Sequence, residues 1–494
     1  MPQQRPFHVR GYSGGFPVWS GYDLTDASLA RLETLLAAFA EMGGDVLDWT
    51  VAWGRVLAHV KLRDSGEFLF EVAKSQPERL DPARLPALDF SYYDPAMALA
   101  RKHGVTRIET HMEDPLVTRW QWSFLDPALG KGRVTAGSPE AARALVWLYQ
   151  ESRKYFESHG FTGFFCKISD EIAPEEIPRH IATAQLVREA GWRPFTTITG
   201  LIARTAGLIE AMDPHCDEWQ LAFSLKDDFL RLREERYQLV EQRVAVAGNW
   251  GVYTNGGAKE TYAQRFLGEQ SVTGLAPEAV ESFELLEDGR PLGHRGGSAW
   301  GNAERGVVIS GGSLRSHLWM SPASGTPQDH RYELLLRLRQ ADPTGEPLVA
   351  VDPSDEVWCY GGGSSPFRAN YGNGYVYPLM TLYHGFQGFG QWAFYHWNAS
   401  ERVVWVDDTN QLTISPVYCG YRDGWHDARL YHHLRQQRGE AALRELAGPT
   451  GPLRVDWTSQ EVYRFLTVTN AGDPVAINEA RRRALERLAT PGAP

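Results

Sequence analysis

The chain has 494 residues and a formal net charge of -11, with 50 basic side chains against 61 acidic ones. This balance leaves no basic surface for phosphate backbones and argues against nucleic acid as a partner. No apolar stretch is long enough to span a bilayer, and the start MPQQRPFHVR lacks a signal-peptide core. We therefore expect no membrane partner and a cytoplasmic location, unless a leader was removed.

The first half of the chain alternates strand-like and helix-like segments with short turns between them. Such alternation predicts a parallel sheet whose strands are joined by helices. A first strand is predicted near residues 16–19, followed by a helix that begins at a cap formed by Thr25 or Asp26. Further strands are predicted at 45–51, 106–111, 161–168, 194–199 and 218–223. The helices between them are predicted at 95–103, 139–159, 175–190 and 203–212.

Residues 225–350 interrupt this alternation with a charged helix predicted at 226–243 and with several glycine-rich segments. A departure of this length inside a periodic chain indicates an insertion on the loop face. The alternation then resumes with strands at 356–360 and 388–395, a helix between them at 375–386, and outer helices at 426–438 and 478–488.

The fold class that this pattern predicts is α/β, a (β/α)8 TIM-type barrel with a long insertion between strands six and seven. We expect residues 1–440 to form the barrel domain, including the insertion. Residues 441–494 are predicted to be a helical or extended segment packed on the barrel.

Aromatic residues are abundant, with 17 Trp, 20 Tyr and 21 Phe, and many stand beside Gly, Asn, Asp or His. A sugar-binding cleft requires flat apolar faces edged by hydrogen-bonding groups. A large aromatic core would give the same composition, so composition alone leaves both interpretations open.

An acidic pair, Asp170 and Glu171, directly follows the fourth predicted strand, and the catalytic groups of such barrels lie at the carboxyl ends of the strands. Cleavage of a glycosidic bond requires an acid for the leaving oxygen and a second group at the sugar carbon. Glu171 is the candidate acid. Strand seven ends in Tyr360 and glycines, so the nucleophile of a conventional retaining enzyme is missing there. This favours a substrate-assisted reaction, in which the sugar's 2-acetamido oxygen attacks and Asp170 orients its N–H.

Other side chains near the predicted strand ends are candidates for substrate binding: Trp49, His111, Glu113, Tyr360, Trp392, Tyr395 and Trp397. Each has a structural alternative: core packing for the aromatic residues, an acidic turn for Glu113 and a satisfied structural histidine for His111. The acidic pair itself could be a solvated turn that caps the next helix. The four cysteines lack metal-site or disulfide spacing, and we predict no metal and no cofactor.

Several segments resemble the catalytic domain of glycoside hydrolase family 123: KISDEI, VWCYGGG, FRANYGNGYVYP, GFGQWAFYHWN and RDGWHDARLYHHL. The resemblance extends over residues 40–440 apart from the insertion. It implies a (β/α)-barrel and an exo-acting β-N-acetylgalactosaminidase that retains configuration through an oxazolinium intermediate without a metal. It also implies that Asp170 orients the acetamido group, that Glu171 is the acid and base, and that the aromatic residues of strands seven and eight shape the pocket.

Two alternatives remain open at this stage. One is a glycosidase of different sugar specificity that uses Glu171 with a distant carboxylate, either Glu113 or Asp48. The other is a carbohydrate-binding barrel without catalysis. A carbohydrate is the expected partner in every case, and the sequence does not indicate an oligomeric state.

Overall fold

The structure is a computed structural model, and it describes most of the chain. The described residues are 7–13, 23–49, 59–76, 79–80, 84–111, 139–170, 177–198, 211–222, 237–245, 253–254, 263–271, 280–291, 306–310, 313–319, 331–341, 354–362, 371–395, 403–407, 409–448, 450–460, 463–468 and 470–490.

Eight parallel strands close into a barrel in which neighbours in the chain are neighbours in the ring. The strands are β1 (His8–Ser13), β2 (Val46–Asp48), β3 (Arg107–His111), β4 (Gly163–Asp170), β5 (Arg193–Ile198), β6 (Glu218–Ala222), β7 (Glu356–Gly362) and β8 (Gly388–Tyr395). The ring closes where β1 pairs with β8 in parallel. The predicted fold class, a (β/α)8 barrel with its insertion between β6 and β7, is confirmed.

Helices surround the barrel and cover its outer, apolar face. They are α1 (Asp26–Glu41), α2 (Leu69–Ser75), α3 (Asp94–Lys102), α4 (Pro139–Ser158), α5 (Ile177–Glu189), α6 (Tyr371–His384), α7 (Pro416–Leu446) and α8 (Pro474–Ala489). The predicted cap at Thr25 is confirmed, because its side chain accepts from the Ser28 N–H while the Ser28 hydroxyl accepts from the Thr25 N–H. This reciprocal pair satisfies backbone donors that a helix start leaves open.

Two sequence predictions differ from the structure. The first barrel strand is His8–Ser13, upstream of the predicted residues 16–19, which lie outside the described residues. Arg10 is a buried interior residue of this strand, so the strand lacks the apolar run that is typical of a barrel strand. The helix predicted at 226–243 is wrong over its described end, since Tyr237–Ala245 is a strand paired with Tyr332–Ala341. Ladder pairing there prevails over local helix propensity.

The insertion between β6 and β7 is β-structured where it is described. One four-stranded antiparallel sheet contains Tyr237–Ala245, Val280–Glu287, Arg290–Pro291 and Tyr332–Ala341. A second contains Tyr253–Thr254, Ala263–Ser271, Gly306–Ser310 and Ser313–Trp319. Shorter pairings elsewhere join Lys61–Leu62 to Leu88–Asp89, Val404–Val406 to Leu412–Ile414, and Leu453–Gln460 to both Ala447–Gly448 and Tyr463–Val468.

The end of the chain is tied to the barrel's outer layer. Gly439 interrupts α7 with φ 80 and ψ 174, close to the domain boundary predicted at residue 440. Farther along, Arg481 on α8 donates to the buried carboxylate of Asp427 on α7, with Nε 2.6 Å from Oδ1. The Tyr375 hydroxyl on α6 donates to the same carboxylate at 2.6 Å. In the part of the chain that is described, no helix has the length and apolarity needed to cross a membrane.

Candidate active site

A β-bulge governs the end of β4, where the acidic pair stands. The register of β4 against β5 shifts by one residue between Lys167 and Ser169. A bulge changes which residues of the partner strand stand opposite the residues that follow it. Asp170 pairs with Thr197, whose buried hydroxyl donates to the amide oxygen of Gln220 at 3.4 Å.

Arg10 crosses the barrel interior from β1 to Glu218 on β6, three positions away in the ring. Its Nη1 donates to Oε1 at 2.6 Å and its Nη2 to Oε2 at 3.2 Å. The guanidinium lies over the rings of Phe195 and Trp358, whose centroids are 4.4 and 4.5 Å from Cζ. A planar guanidinium suits both the forked ion pair and the stacking. Because both charged side chains are fully buried, each compensates the lost hydration of the other.

From Arg10 the polar contacts continue toward the carboxyl end of the barrel. Arg10 Nε contacts Glu109 Oε2 on β3. Glu109 Oε1 lies 3.3 Å from Nε2 of His111, and Asp48 Oδ1 on β2 lies 3.4 Å from the same nitrogen. The Tyr149 hydroxyl donates to the His111 carbonyl oxygen at 2.5 Å and fixes the strand end. The His111 side chain is 20% exposed, so this buried network reaches the surface at His111.

Among the described residues inside the barrel, Glu218 has a strongly raised pKa. Burial raises its pKa to about 7, the Arg10 guanidinium opposes that rise, and the neighbouring carboxylates of Glu356 and Glu109 add to it. Gln220 Nε2 donates to Glu218 Oε1 at 3.2 Å and connects this carboxyl to Thr197. The interior network therefore contains a group that can gain or lose a proton near neutral pH.

A separate ion cluster lies at the amino end of the barrel. Glu356, the first residue of β7, accepts from Arg107 at 2.9 Å and from Arg193 at 2.8 Å. Both guanidinium groups lie over the Phe165 ring, 5.2 and 5.0 Å from its centroid. Burial acts to raise the pKa of Glu356, but the two guanidinium groups outweigh it and hold the pKa below its ordinary value. Glu356 therefore belongs to an ion cluster at the amino end of the barrel, whereas Asp170 is at the carboxyl end of β4.

The predicted site residues fall into three groups. His111 lies at the carboxyl end of β3 and is partly exposed. Trp49 is only 1% exposed, and its ring packs edge-on against Tyr93 and Phe156 at 4.9 and 5.6 Å, which are the contacts of a core residue. The backbones of Asp170, Tyr360, Trp392 and Tyr395 lie in barrel strands, but their side chains, like Glu113, Glu171 and Trp397 as whole residues, are outside the described part.

Four buried polar residues of the interior were not predicted from the sequence, namely Arg10, Glu109, Glu218 and Gln220. A usable pattern was present in the segments RIETH and EWQLA, where charged or amide residues recur at every second position of a strand. Alternate residues of a barrel strand face the interior. Polar residues with that period therefore indicate a hydrophilic barrel interior. Among the residues that are described, no three His, Cys, Asp or Glu side chains are grouped as metal ligands would be.

No protein-family model matches the chain, and no curated protein matches it at a significant level. The chain is similar to a solved family 123 glycoside hydrolase from Clostridium perfringens that acts in glycolipid glycan hydrolysis, at 10% identity and a TM-score of 0.45, over 99% of this chain and 70% of that one. It is also similar to the β-glycosidase of the hyperthermophile Thermosphaera aggregans, at 10% identity and a TM-score of 0.37, over 87% of this chain and 97% of that one.

Proposed function

We propose that this protein is a glycoside hydrolase that removes a terminal sugar, specifically a 2-acetamido-2-deoxy hexoside such as a β-N-acetylgalactosaminide, by a substrate-assisted retaining mechanism. The observation that carries the proposal is the end of β4. The strand passes through its bulge and ends at Asp170, whose backbone pairs with Thr197, and Glu171 is the next residue in the chain. Barrel enzymes carry their catalytic groups at the carboxyl ends of the strands.

The proposed reaction divides the chemistry between the two neighbours. Glu171 donates its proton to the glycosidic oxygen while the acetamido oxygen of the substrate attacks the anomeric carbon, which forms an oxazolinium ion and releases the aglycone. Asp170 accepts a hydrogen bond from the acetamido N–H and stabilises the positive charge that develops there. Glu171 then takes a proton from water, which opens the ring with retention of configuration.

The polar interior supports a sugar as the substrate. Asp48 and His111 stand side by side at the ends of β2 and β3 and offer a carboxylate and an imidazole to hydroxyl groups. Tyr360, Trp392, Tyr395 and Trp397, on or just after β7 and β8, are proposed to form the apolar wall of the pocket. Trp49 is left out of this pocket because a ring that is 1% exposed has no face to offer a sugar.

A second candidate function is a glycosidase that pairs Glu171 with a distant carboxylate. Asp48 favours this candidate, because its carboxylate lies at the carboxyl end of β2 and its side chain is 8% exposed. An opposed pair needs no acetamido group, so such an enzyme would accept plain hexosides or pentosides.

The test is hydrolysis of a panel of 4-nitrophenyl glycosides that contains β-N-acetylgalactosaminide, β-N-acetylglucosaminide, plain hexosides and pentosides. Wild type is compared with Glu171→Gln and Asp170→Asn. Glu157→Gln is the matched control, because Glu157 is an exposed carboxylate on α4 whose described partner is Arg153. We expect turnover of acetamido sugars only, a loss of about 10²- to 10⁴-fold in the two site variants, and no loss in the control.

Two additions make the result specific. Because a good leaving group needs little protonation, Glu171→Gln should lose much less activity on a 2,4-dinitrophenyl glycoside than on the 4-nitrophenyl one. Replacing the methyl hydrogens of the acetamido group by fluorine should lower kcat in wild type, because the attacking carbonyl oxygen becomes a weaker nucleophile. Hydrolysis of plain glycosides that depends on Asp48 would support the second candidate. Binding of sugars without turnover would contradict both and leave a carbohydrate-binding barrel.

A further inference from the structure

The ladder between β4 and β5 contains one additional residue near the end of β4. Lys167 stands opposite Phe195 and Ser169 stands opposite Thr196, so Ile168 is the additional residue of a bulge. The Ile168 side chain is fully buried in the apolar core, which stabilises the strand in its bulged form. The bulge therefore lies directly before the strand end that carries the acidic pair.

The first ladder pair after the bulge is joined through its side chains as well as through its backbone. The hydroxyl oxygens of Ser169 and Thr196 are 2.7 Å apart, and the hydrogen bond between them is buried. Ser169 is 3% exposed, and Thr196 has no exposed surface. Because water does not reach this depth, removal of either hydroxyl group would leave the other without this partner in the protein interior.

The same two strands would pair differently without the bulge. A regular ladder would place Ser169 opposite Thr197 and Asp170 opposite Ile198, one position away from the observed partners. An offset of one residue moves a strand end by about 3.3 Å relative to its neighbour. The hydroxyl bond joins two residues that stand opposite each other only in the bulged register, so it favours that register over the regular one.

We infer that Ser169 and Thr196 are positioning residues, whose hydroxyl bond holds the register in which β4 ends and thereby the place of Asp170 and Glu171 in the site. The register stands on the described contacts alone. Its catalytic consequence rests on the proposed function, because a displacement of reacting groups by about 1 Å can cost about a hundredfold in rate. Neither hydroxyl group touches the substrate in this role, and both act through the acidic pair.

Two substitutions of Thr196 separate the hydroxyl bond from packing. Thr196→Val keeps the shape of the side chain and removes the hydroxyl group, whereas Thr196→Ser keeps the hydroxyl group and removes a methyl group. A positioning role makes Thr196→Val the more damaging change, and a packing role makes Thr196→Ser the more damaging one. Ser169→Ala removes the other half of the bond. Ser152→Ala is the matched control, because the buried Ser152 hydroxyl donates to a carbonyl oxygen within α4.

The first experiment reads the strand end without any substrate, by hydrogen–deuterium exchange of the full-length protein and mass spectrometry of fragments that contain the end of β4. Exchange there should become about fivefold faster in Thr196→Val and Ser169→Ala, as for the loss of one buried hydrogen bond. It should stay near the wild-type rate in Thr196→Ser and Ser152→Ala. Urea midpoints establish that each variant is folded, and Ser169→Ala decides if Thr196→Val does not fold. Unchanged exchange in the folded variants that lack the bond, or faster exchange in Thr196→Ser than in Thr196→Val, would overturn the inference.

The second experiment uses a glycoside that wild type hydrolyses. Thr196→Val and Ser169→Ala should lower kcat by about tenfold while KM changes little, because the reacting groups are displaced and the rest of the pocket is not. The double variant should lose no more than either single variant, since both changes remove the same bond. A loss that appears in KM instead, or single losses that multiply in the double variant, would overturn the positioning role. If wild type hydrolyses no glycoside, the proposed function fails, while the exchange measurement still decides whether the two hydroxyl groups hold the register.

Discussion

Replacing Glu218 by glutamine removes the proton equilibrium of a carboxyl group that lies wholly inside the barrel. Burial raises the pKa of Glu218 to about 7 from an ordinary 4.5, against the opposing effect of the Arg10 guanidinium. The folded protein therefore binds this proton more tightly than the unfolded chain. The resulting stabilisation is fully present below the ordinary value and is lost as the pH rises through about 7.

The size of the effect follows from the same two values. A shift of one pH unit in proton affinity corresponds to about 1.4 kcal/mol. For pKa values of 4.5 unfolded and about 7 folded, the contribution of this carboxyl to the free energy of unfolding falls by about 2.5 kcal/mol between about pH 5 and about pH 8. Glutamine does not titrate, and its amide oxygen can still accept from Arg10, so we expect a folded variant without this pH dependence.

Urea unfolding followed by tryptophan fluorescence, at several pH values across this window, measures the difference in unfolding free energy between Glu218→Gln and wild type. The variant should gain about 2.5 kcal/mol relative to wild type from the acidic to the alkaline end of the window. Other titrating groups contribute to both proteins and cancel in the difference. The exposed-site control Glu157→Gln should run parallel to wild type. A difference for Glu218→Gln that stays constant with pH would refute the reasoning.

Two further predictions concern the helices around the barrel. Gly420→Ala should destabilise the protein by about 2 kcal/mol or more, because the added Cβ would lie 2.1 Å from a backbone carbonyl oxygen of α6. The control Gly472→Ala places its Cβ in open space and should change the urea midpoint little. Arg481→Met should cost about 3 kcal/mol because it leaves the Asp427 carboxylate buried without its cation. Arg482→Met, whose side chain is 55% exposed on the same helix, should leave the urea midpoint nearly unchanged.

Local patterns in the sequence were enough for most of the barrel. The apolar run at residues 161–168 corresponds to β4. A strand that is buried on both faces is largely apolar along its whole length. The cap at Thr25 determined where α1 begins, since its contact partner is only three residues away. The alternation of strands and helices likewise indicated a parallel sheet with helices outside it, because parallel neighbouring strands need a crossover connection.

Tertiary structure decided what depends on distant partners. β1 could not be recognised from the sequence because it contains the charged residue Arg10. The partner of Arg10 is Glu218, which is 208 residues away in the chain. The strand Tyr237–Ala245 resembled a helix until its pairing with Tyr332–Ala341 was known. In the candidate site, the sequence located the Asp170-Glu171 pair at a strand end, but the bulge that pairs Asp170 with Thr197 arises from the register of β4 against β5. A sequence displays local spacing, whereas ion pairs and ladder registers join residues that only the fold brings together.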